Sequence, residues 1–108
     1  MTKNLETSYP REKIRVLLLE NVSGSAAEAF ARGGYAGVER LPRALSEDEL
    51  TEAVRGVHLL GIRSKTKVTG RVLEAADRLL AVGCFCIGVN QVDLAAATDA
   101  GVAVFNAP

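Results

Sequence analysis

The amino-acid sequence predicts an α/β fold built on one parallel sheet, and two observations carry that prediction. Short runs of apolar residues alternate along the chain with segments that have the capping signals of helices. The chain also has 108 residues, 48% of them hydrophobic, which is enough for one domain with its own core. Strands that alternate with helices run parallel, because each helix carries the chain back to the same end of the sheet.

The first strand and the first helix follow a polar N-terminal segment. Residues 1–12 are polar, so a mobile arm is expected there. Residues 14–19, IRVLLL, form an apolar run that is typical of a buried strand. Residues 25–28, SAAE, match a capping box that opens a helix toward Arg32, and the two glycines at 33–34 end it.

A weak second strand and a well-marked second helix come next. Residues 38–41 predict the strand, which Pro42 stops. Residues 46–49, SEDE, match a second capping box with acidic residues in the first turn, where they favour a helix. This helix is expected to run to Arg55 and to stop at Gly56.

The third strand, third helix and fourth strand follow the same alternation. Residues 57–62, VHLLGI, predict the third strand. Residues 72–76 belong to the third helix, which is expected to open near Thr69. Residues 79–85 predict a fourth strand that is rich in small residues.

The last helix and the last strand complete the pattern. Residues 93–100, DLAAATDA, predict a fourth helix with Gly101 as its C-cap, and residues 102–105 predict the fifth strand. The element order is therefore βαβαβαβαβ. Because crossovers between parallel strands are right-handed, five such strands favour a flavodoxin-like, doubly wound sheet with helices on both faces.

Composition excludes several classes of protein. The 13 basic and 13 acidic residues cancel, which argues against broad binding of nucleic acid or of a membrane surface. No apolar run approaches the roughly 20 residues of a membrane span, and residues 1–13 lack the apolar segment of a secretory signal. Two cysteines that lie this close in sequence, Cys84 and Cys86, together with the missing signal, favour a reducing cytoplasm.

The charges are unevenly spread along the chain. Between residues 53 and 73 there are five basic residues and no acidic one: Arg55, Arg63, Lys65, Lys67 and Arg71. Residues 79–108 contain only two charged side chains, Asp93 and Asp99. A last third this apolar is expected to supply much of the core and also an interface.

The turn after the third strand is the strongest candidate site in the sequence. In an open parallel sheet, ligands bind beyond the carboxyl ends of the strands. The turn Arg63-Ser64-Lys65-Thr66-Lys67 lies at that edge and joins a guanidinium, hydroxyls and ammonium groups, with no carboxylate nearby in the sequence. Arginine can hold a carboxylate or a phosphate through two parallel hydrogen bonds, so an anion-binding turn is the interpretation we favour over a solvated basic turn.

Other candidates are weaker. Residues 21–25, NVSGS, could hold a phosphate at a helix N-terminus, but a serine-rich helix start is more often a cap. The C-x-C spacing of Cys84 and Cys86 favours buried strand cysteines over a metal or redox pair. His58 has no apparent catalytic partner and is interpreted as structural. A receiver domain is excluded, because Arg63 stands where the phospho-acceptor aspartate would be.

Three segments resemble the D-2-hydroxyacid dehydrogenases. They are residues 61–69 (GIRSKTKVT), 84–94 (CFCIGVNQVDL) and 101–108 (GVAVFNAP). The resemblance runs in register over nearly everything from Lys13 onward, and within that family it is strongest to the bacterial enzymes that oxidise 3-phospho-D-glycerate.

This resemblance implies a domain organisation. Residues 13–108 would be the N-terminal segment of the substrate-binding (catalytic) domain, and the nucleotide-binding Rossmann domain would be absent from this chain. A late helix would return to complete the substrate-binding domain. The catalytic histidine, its acidic partner and a substrate-orienting arginine would lie in the absent part. On this interpretation, no residue here is catalytic or binds the cofactor, and His58 is not the family's histidine.

The resemblance also implies substrate-binding residues. Arg63 and Ser64 match positions that contact the anionic groups of the substrate. Lys65 stands where close relatives often have arginine, so it keeps the positive charge but cannot form the two parallel hydrogen bonds of a guanidinium. The backbone of the turn from Gly83 to Gly88 would face the substrate carboxylate and the nicotinamide. The full expected set is Arg63, Ser64, Lys65, Cys84, Phe85, Cys86, Ile87, Gly88 and Asn106.

The expected function of the complete enzyme is the NAD-dependent oxidation of 3-phospho-D-glycerate to 3-phosphooxypyruvate, the first step of serine biosynthesis. The 108-residue chain alone is expected to be inactive, and the complete enzyme is expected to be a homo-oligomer that binds neither nucleic acid nor membrane. The alternative is a truncated, non-catalytic binding or interaction module of the flavodoxin-like fold.

Overall fold

The computed structural model describes residues 13–22 and 24–106. The mobile arm expected at residues 1–12 lies outside the described residues. Nine elements alternate along the described chain: β1 (Arg15–Leu18), α1 (Gly24–Arg32), β2 (Gly37–Arg40), α2 (Glu47–Ala53), β3 (Leu59–Ile62), α3 (Gly70–Ala75), β4 (Ala81–Cys84), α4 (Leu94–Ala100) and β5 (Ala103–Asn106).

The five strands form one parallel sheet in the order β2-β1-β3-β4-β5. This order confirms the predicted flavodoxin-like fold, in which the chain winds first to one side of β1 and then to the other. The order reverses between β1 and β3, where the loops that follow these two strands separate. The carboxyl ends of β1, β3 and β4 are therefore neighbours at the edge where a ligand is expected.

Helices α2 and α3 begin where their capping residues predict, and α4 begins one residue after its predicted start. Ser46 and Glu49 form the predicted capping box of α2, because each side chain accepts a hydrogen bond from the other residue's backbone N–H. Thr69 and Asp93 cap α3 and α4 in the same way with their side-chain oxygens. Gly101 ends α4 in the left-handed conformation, with a φ of 74°.

Some element boundaries differ from the prediction. Helix α1 begins at Gly24, so Ser25 lies inside the helix and is not its cap. Helix α2 ends at Ala53, with Val54 as C-cap, because the chain turns away before Gly56, which has a φ of 77°. Each described strand is four residues long, so β1, β3 and β4 are shorter than the predicted runs. Strand β2 begins one residue earlier than predicted, and β5 begins one residue later, because pairing with the neighbouring strands sets these limits.

The two faces of the sheet are covered unequally. Helices α2, α3 and α4 cover one face, where Leu17, Leu60 and Val82 of the sheet pack with buried helix residues into the main core. On the other face a smaller cluster of Val16, Leu18 and Val22 packs with Phe30 of α1. Helix α1 lies beside β2, so the part of this face that belongs to β3, β4 and β5 has no helix over it in the described chain.

That uncovered part of the sheet is apolar. A groove of about 180 Å³ crosses it, and side chains of Phe85 and Phe105 lie beside Gly61 and Gly83 in its wall. Four large apolar side chains are exposed in the described chain, and all belong to the last third: Leu80, Ile87, Leu94 and Phe105. The uncharged last third thus supplies both core and exposed apolar surface, as its composition predicts. None of the helices between residues 13 and 106 has the length and apolarity needed to cross a membrane.

His58 has a structural role, as predicted. Its Nδ1 accepts a hydrogen bond of 3.0 Å from the backbone N–H of Arg15, and the residue is buried between β1 and β4. Burial lowers the pKa of His58, the positive charges of Arg78 and Arg15 lower it further, and Asp77 opposes them. A neutral imidazole at this position therefore stabilises the fold.

We expect acidification to weaken the fold through His58. Because its pKa is lower in the folded than in the unfolded chain, the unfolded chain binds the proton first, and stability falls as the pH drops below about 6.5. His58→Asn keeps an acceptor in place of Nδ1 but does not titrate. Its free energy of unfolding in urea should therefore change less between about pH 7.5 and pH 5.5 than that of the unsubstituted protein. An identical pH dependence in the two proteins would assign the acid sensitivity to other groups.

Candidate functional site

Two loops meet at the carboxyl edge of the sheet and form an open cleft. The loop after β3 begins with Arg63, and the loop after β4 contains Cys86 and Gly88. The cleft has a volume of about 540 Å³ and is lined by Arg63, Ser64, Lys67, Phe85, Cys86, Ile87, Gly88, Asn90 and Gln91. Six of these nine belong to the expected substrate-binding set, and Lys67 belongs to the predicted anion-binding turn, so the fold brings most of the expected site together.

A second cleft lies on the other side of the Arg63 loop. It has a volume of about 440 Å³ and is lined by Glu20, Pro42, Arg43, Ala44, Arg63, Ser64 and Lys65. Arg63 and Ser64 line both clefts, and Lys65 lines only this one. The basic loop therefore forms a ridge with an open volume on each side.

The cations of the ridge are available to a ligand. Arg63, Lys65 and Lys67 are exposed, and no carboxylate between residues 13 and 106 forms an ion pair with any of the three. An unpaired guanidinium beside two ammonium groups attracts an anion and can hold it through charge-assisted hydrogen bonds.

The five basic residues between positions 53 and 73 do not form one cluster, which corrects the impression that the sequence gives. Arg71 pairs with Glu47 and Asp48 at the N-terminus of α2, and Arg55 pairs with Glu52. A neighbouring acid thus pairs with the cation at the start of this segment, and two acids more than twenty residues away pair with the cation at its end. The positive charge of the site comes from its central three residues.

The expectation that no carboxylate lies near the Arg63 turn is wrong. Glu20 follows β1, and its carboxylate accepts hydrogen bonds from the backbone N–H groups of Arg63 (2.9 Å), Lys65 (2.8 Å) and Thr66 (2.9 Å). The sequence separates Glu20 from this turn by more than forty residues, and only the pairing of β1 with β3 brings them together. The sequence analysis does not connect Glu20 with the Arg63 turn.

The carboxylate of Glu20 is ionised in this position. Burial disfavours its charged form, but the hydrogen bonds from the three backbone N–H groups favour it, so that the pKa of Glu20 lies below its usual value. Because its oxygens face the backbone, the charge of Glu20 is compensated by N–H groups and not by the Arg63 guanidinium.

Gln91 joins the two loops of the first cleft. Its side-chain Nε2 donates to the backbone oxygen of Arg63 (2.7 Å) and to the sulfur of Cys86 (3.1 Å). Its own backbone oxygen accepts from the N–H of Val68 at 2.9 Å. Sequence reasoning did not single out Gln91 or Asn90, although both lie within the resembling segment 84–94 and a buried amide in an apolar loop needs partners.

Two expected site residues lie outside both clefts. The Cys84 side chain is fully buried in the main core, and burial raises the pKa of its thiol to about 11, so it stays protonated. Asn106 lies at the end of β5, and its Nδ2 donates to the backbone oxygen of Ile87 at 3.0 Å. Cys84 can thus contribute through its backbone alone, and Asn106 supports the loop that contains Ile87.

Cys86 is half-buried, and its sulfur lies 3.1 Å from the backbone oxygen of Gly88. Neither cysteine forms a disulfide in the described chain. Within residues 13–22 and 24–106 no group of three or more histidine, cysteine, aspartate or glutamate side chains is placed to hold a metal ion.

Comparison with known proteins identifies the family of this chain. The family model described as "D-isomer specific 2-hydroxyacid dehydrogenase, catalytic domain" matches residues 16–108. D-3-phosphoglycerate dehydrogenase of Dictyostelium discoideum is 52% identical over 94% of this chain, and that of Escherichia coli K12 is 46% identical over 95%. The chain spans about a quarter of the length of these curated relatives, 25% of each.

A solved structure shares the fold. The NAD⁺-bound 3-phosphoglycerate dehydrogenase of Entamoeba histolytica superposes with a TM-score of 0.73 over 88% of this chain and 33% of its own, at 16% identity. With a family model that matches from the first strand to the last residue, the chain belongs to the D-isomer specific 2-hydroxyacid dehydrogenases, and residues 16–108 are part of their catalytic domain.

Proposed function

We propose that this chain is the N-terminal substrate-binding segment of an NAD-dependent D-3-phosphoglycerate dehydrogenase. The complete enzyme would oxidise 3-phospho-D-glycerate to 3-phosphooxypyruvate, the first step of L-serine biosynthesis. One observation carries this proposal: the unpaired cations of Arg63, Lys65 and Lys67 stand on a ridge between two open clefts at the ligand edge of the sheet. Relatives of that name that are 46% and 52% identical supply the choice of substrate.

The substrate has an anionic group at each end, and the ridge offers cations on both of its sides. Arg63 and Ser64 line both clefts and would hold the carboxylate, with the guanidinium donating two parallel hydrogen bonds. Lys65 lines the second cleft but not the first, and its ammonium group would attract the phosphate as a point charge. Arg43 lines that cleft too, but its guanidinium is engaged by both oxygens of Glu49, at 3.1 Å each.

The loop after β4 would form the wall opposite Arg63. Cys86, Ile87 and Gly88 line the first cleft, and the Ile87 side chain is 90% exposed. Burying an exposed apolar side chain is favourable, and the bound substrate would cover Ile87. These residues position and enclose the substrate, which lowers the barrier by orientation and not by proton transfer.

The nicotinamide cofactor would be bound by a different part of the enzyme. The sequence has no G-x-G-x-x-G segment, and the described residues present no glycine-rich turn that leads into a helix N-terminus suited to a dinucleotide pyrophosphate. The residues present therefore do not fit NAD. The acceptor of the hydroxyl proton would also lie outside this chain.

The uncovered face of the sheet supports this division of the enzyme. Parallel sheets are covered on both faces, yet over β3, β4 and β5 the groove beside Phe85 and Phe105 lies open. In the complete enzyme this face would be covered by a helix that returns from the remaining three quarters of the polypeptide.

We also propose that the complete enzyme is a cytoplasmic homo-oligomer. The two free cysteines are consistent with a reducing compartment.

The test is a dehydrogenase assay on the protein translated from the complete reading frame that contains these residues. We expect NADH formation, followed by absorbance, with 3-phospho-D-glycerate, and much less with D-glycerate, which lacks the phosphate. The 108-residue chain alone should form no NADH and bind no NAD. A full-length protein that oxidises other 2-hydroxy acids but not phosphoglycerate would disprove the substrate. A reading frame that stops at Pro108 would favour the non-catalytic binding module.

A further inference from the structure

The backbone of Arg63 is held from two sides by buried polar side chains. Its N–H donates to Oε2 of Glu20 at 2.9 Å, and its carbonyl oxygen accepts from Nε2 of Gln91 at 2.7 Å. Both side chains are less than a tenth exposed, with relative exposures of 9% and 8%. The backbone N–H and the backbone carbonyl oxygen of Arg63 thus both form hydrogen bonds with side chains from two other loops.

Glu20 adopts an unusual backbone conformation. It has a φ of 58°, and Asn21, which follows it, has a φ of 56°. The left-handed region is uncommon for residues other than glycine, and for a long side chain such as glutamate it costs conformational energy. Three hydrogen bonds from N–H groups to one carboxylate offset that cost, because bonds to a charged acceptor are stronger than neutral ones.

Gln91 ties the same segment to the loop after β4. Its side-chain Nε2 donates both to the backbone oxygen of Arg63 and to the sulfur of Cys86. The backbone oxygen of Gln91 accepts a hydrogen bond from the N–H of Val68. The N–H of Asp93 also donates to the backbone oxygen of Val68, at 2.9 Å. The two walls of the first cleft are therefore linked through Gln91 and its neighbours, so that a movement of one loop moves the other.

We propose that Glu20 and Gln91 are positioning residues, which set the place of the Arg63 guanidinium by fixing the backbone that carries it. This inference rests on the proposed role of Arg63 in binding the substrate anion. Neither side chain needs to contact the substrate. The carboxylate of Glu20 accepts hydrogen bonds from the backbone N–H groups of the loop and forms no ion pair with Arg63, Lys65 or Lys67. These three cationic side chains can therefore bind an anion.

The test is Glu20→Gln in the full-length protein, with Glu28→Gln as the matched control. Glutamine has the shape of glutamate but only one acceptor oxygen, so its NH₂ group would face at least one backbone donor. Glu28 is exposed on α1, and its substitution removes the same charge. We expect Glu20→Gln to raise the KM for phosphoglycerate by about 5- to 30-fold with kcat within about threefold, and Glu28→Gln to change neither.

A second readout does not depend on activity. In Glu20→Gln the backbone amides of Arg63, Lys65 and Thr66 should exchange with deuterium at least about tenfold faster, while those of α3 keep their rates. Gln91→Met, which keeps the length of the side chain but removes its donor, should also raise KM, and it carries the test if Glu20→Gln does not fold. In an Arg63→Ala background the KM penalty of Glu20→Gln should shrink to less than about threefold, because the positioned group is gone.

Several results separate this inference from the proposed function. Unchanged amide exchange in a folded Glu20→Gln variant overturns the positioning role of Glu20, whatever the substrate is. Faster exchange with an unchanged KM also overturns it, provided that Arg63→Ala raises KM. An unchanged KM in a folded Gln91→Met variant overturns the positioning role of Gln91, provided that Arg63→Ala raises KM. If Arg63→Ala leaves KM unchanged, the proposed function fails, and the exchange rates alone then decide whether the two residues hold the loop.

Discussion

Arg63→Ala should lower kcat/KM for 3-phospho-D-glycerate by about 30- to 1000-fold in the full-length protein. The guanidinium lines both clefts, and no carboxylate of the described chain pairs with it, so it is free to hold the substrate anion. Charge-assisted hydrogen bonds contribute roughly 1.5–3 kcal/mol each and do not add fully, which gives a loss of about 2–4 kcal/mol. That loss corresponds to the stated range, because about 1.4 kcal/mol is a factor of ten.

Steady-state kinetics and a binding measurement with NAD check this prediction. Arg63→Lys should recover only part of the activity, since lysine keeps the charge but cannot form two parallel hydrogen bonds. Cofactor affinity should barely change, because the proposed cofactor site lies outside this segment. Arg43→Ala serves as a control in the same cleft, and it should cost less because the Arg43 guanidinium is already bound by Glu49. A folded Arg63→Ala variant with unchanged kcat/KM would place the substrate elsewhere.

Ile62→Ala should lower the free energy of unfolding by about 2–5 kcal/mol. Ile62 is the last residue of β3, and its side chain is fully buried in the main core beneath the helices. Truncation removes three carbon atoms from a closely packed interior and leaves a cavity that the surrounding sheet cannot collapse into.

Ile87→Ala is the matched control, since it makes the same chemical change at a side chain that is 90% exposed. Its free energy of unfolding should stay within about 0.5 kcal/mol of the unsubstituted value. Denaturant unfolding of the full-length protein, followed by a probe in this domain, measures both. Equal losses in the two variants would mean that Ile87 is covered in the complete protein, whereas no loss in Ile62→Ala would mean that the core is packed differently.

Much of the fold follows from the sequence because its signals are local. The capping box at Ser46, the cap at Asp93 and the terminating Gly101 act on neighbours within one helical turn. A serine-rich stretch offers more than one possible capping residue, so the start of α1 was predicted less accurately: the helix begins at Gly24, one residue before the predicted cap at Ser25. The strand order follows from the alternation of strands and helices together with the handedness of crossovers.

The candidate site was predicted in part. The basic turn and the loop after β4 were identified from residue types at the carboxyl ends of strands and from the resemblance to the family. Asn90 and Gln91 were missed, because an asparagine and a glutamine in a loop carry no signal until the opposite wall of the cleft is known. The role of Glu20 was missed as well, since its partners are backbone groups, which any sequence has.

By itself, the sequence determined the order of the elements, the parallel sheet, the family and the place of the basic turn. The tertiary structure alone decided which charges stay free. Arg71 is neutralised by Glu47 and Asp48, while Arg63 stays unpaired in the described chain, although both belong to one basic stretch. It also decided that Glu20 holds the Arg63 loop from more than forty residues away. The physical reason is range: capping and periodicity act over a few residues, whereas ion pairs and hydrogen bonds between loops depend on which strands become neighbours.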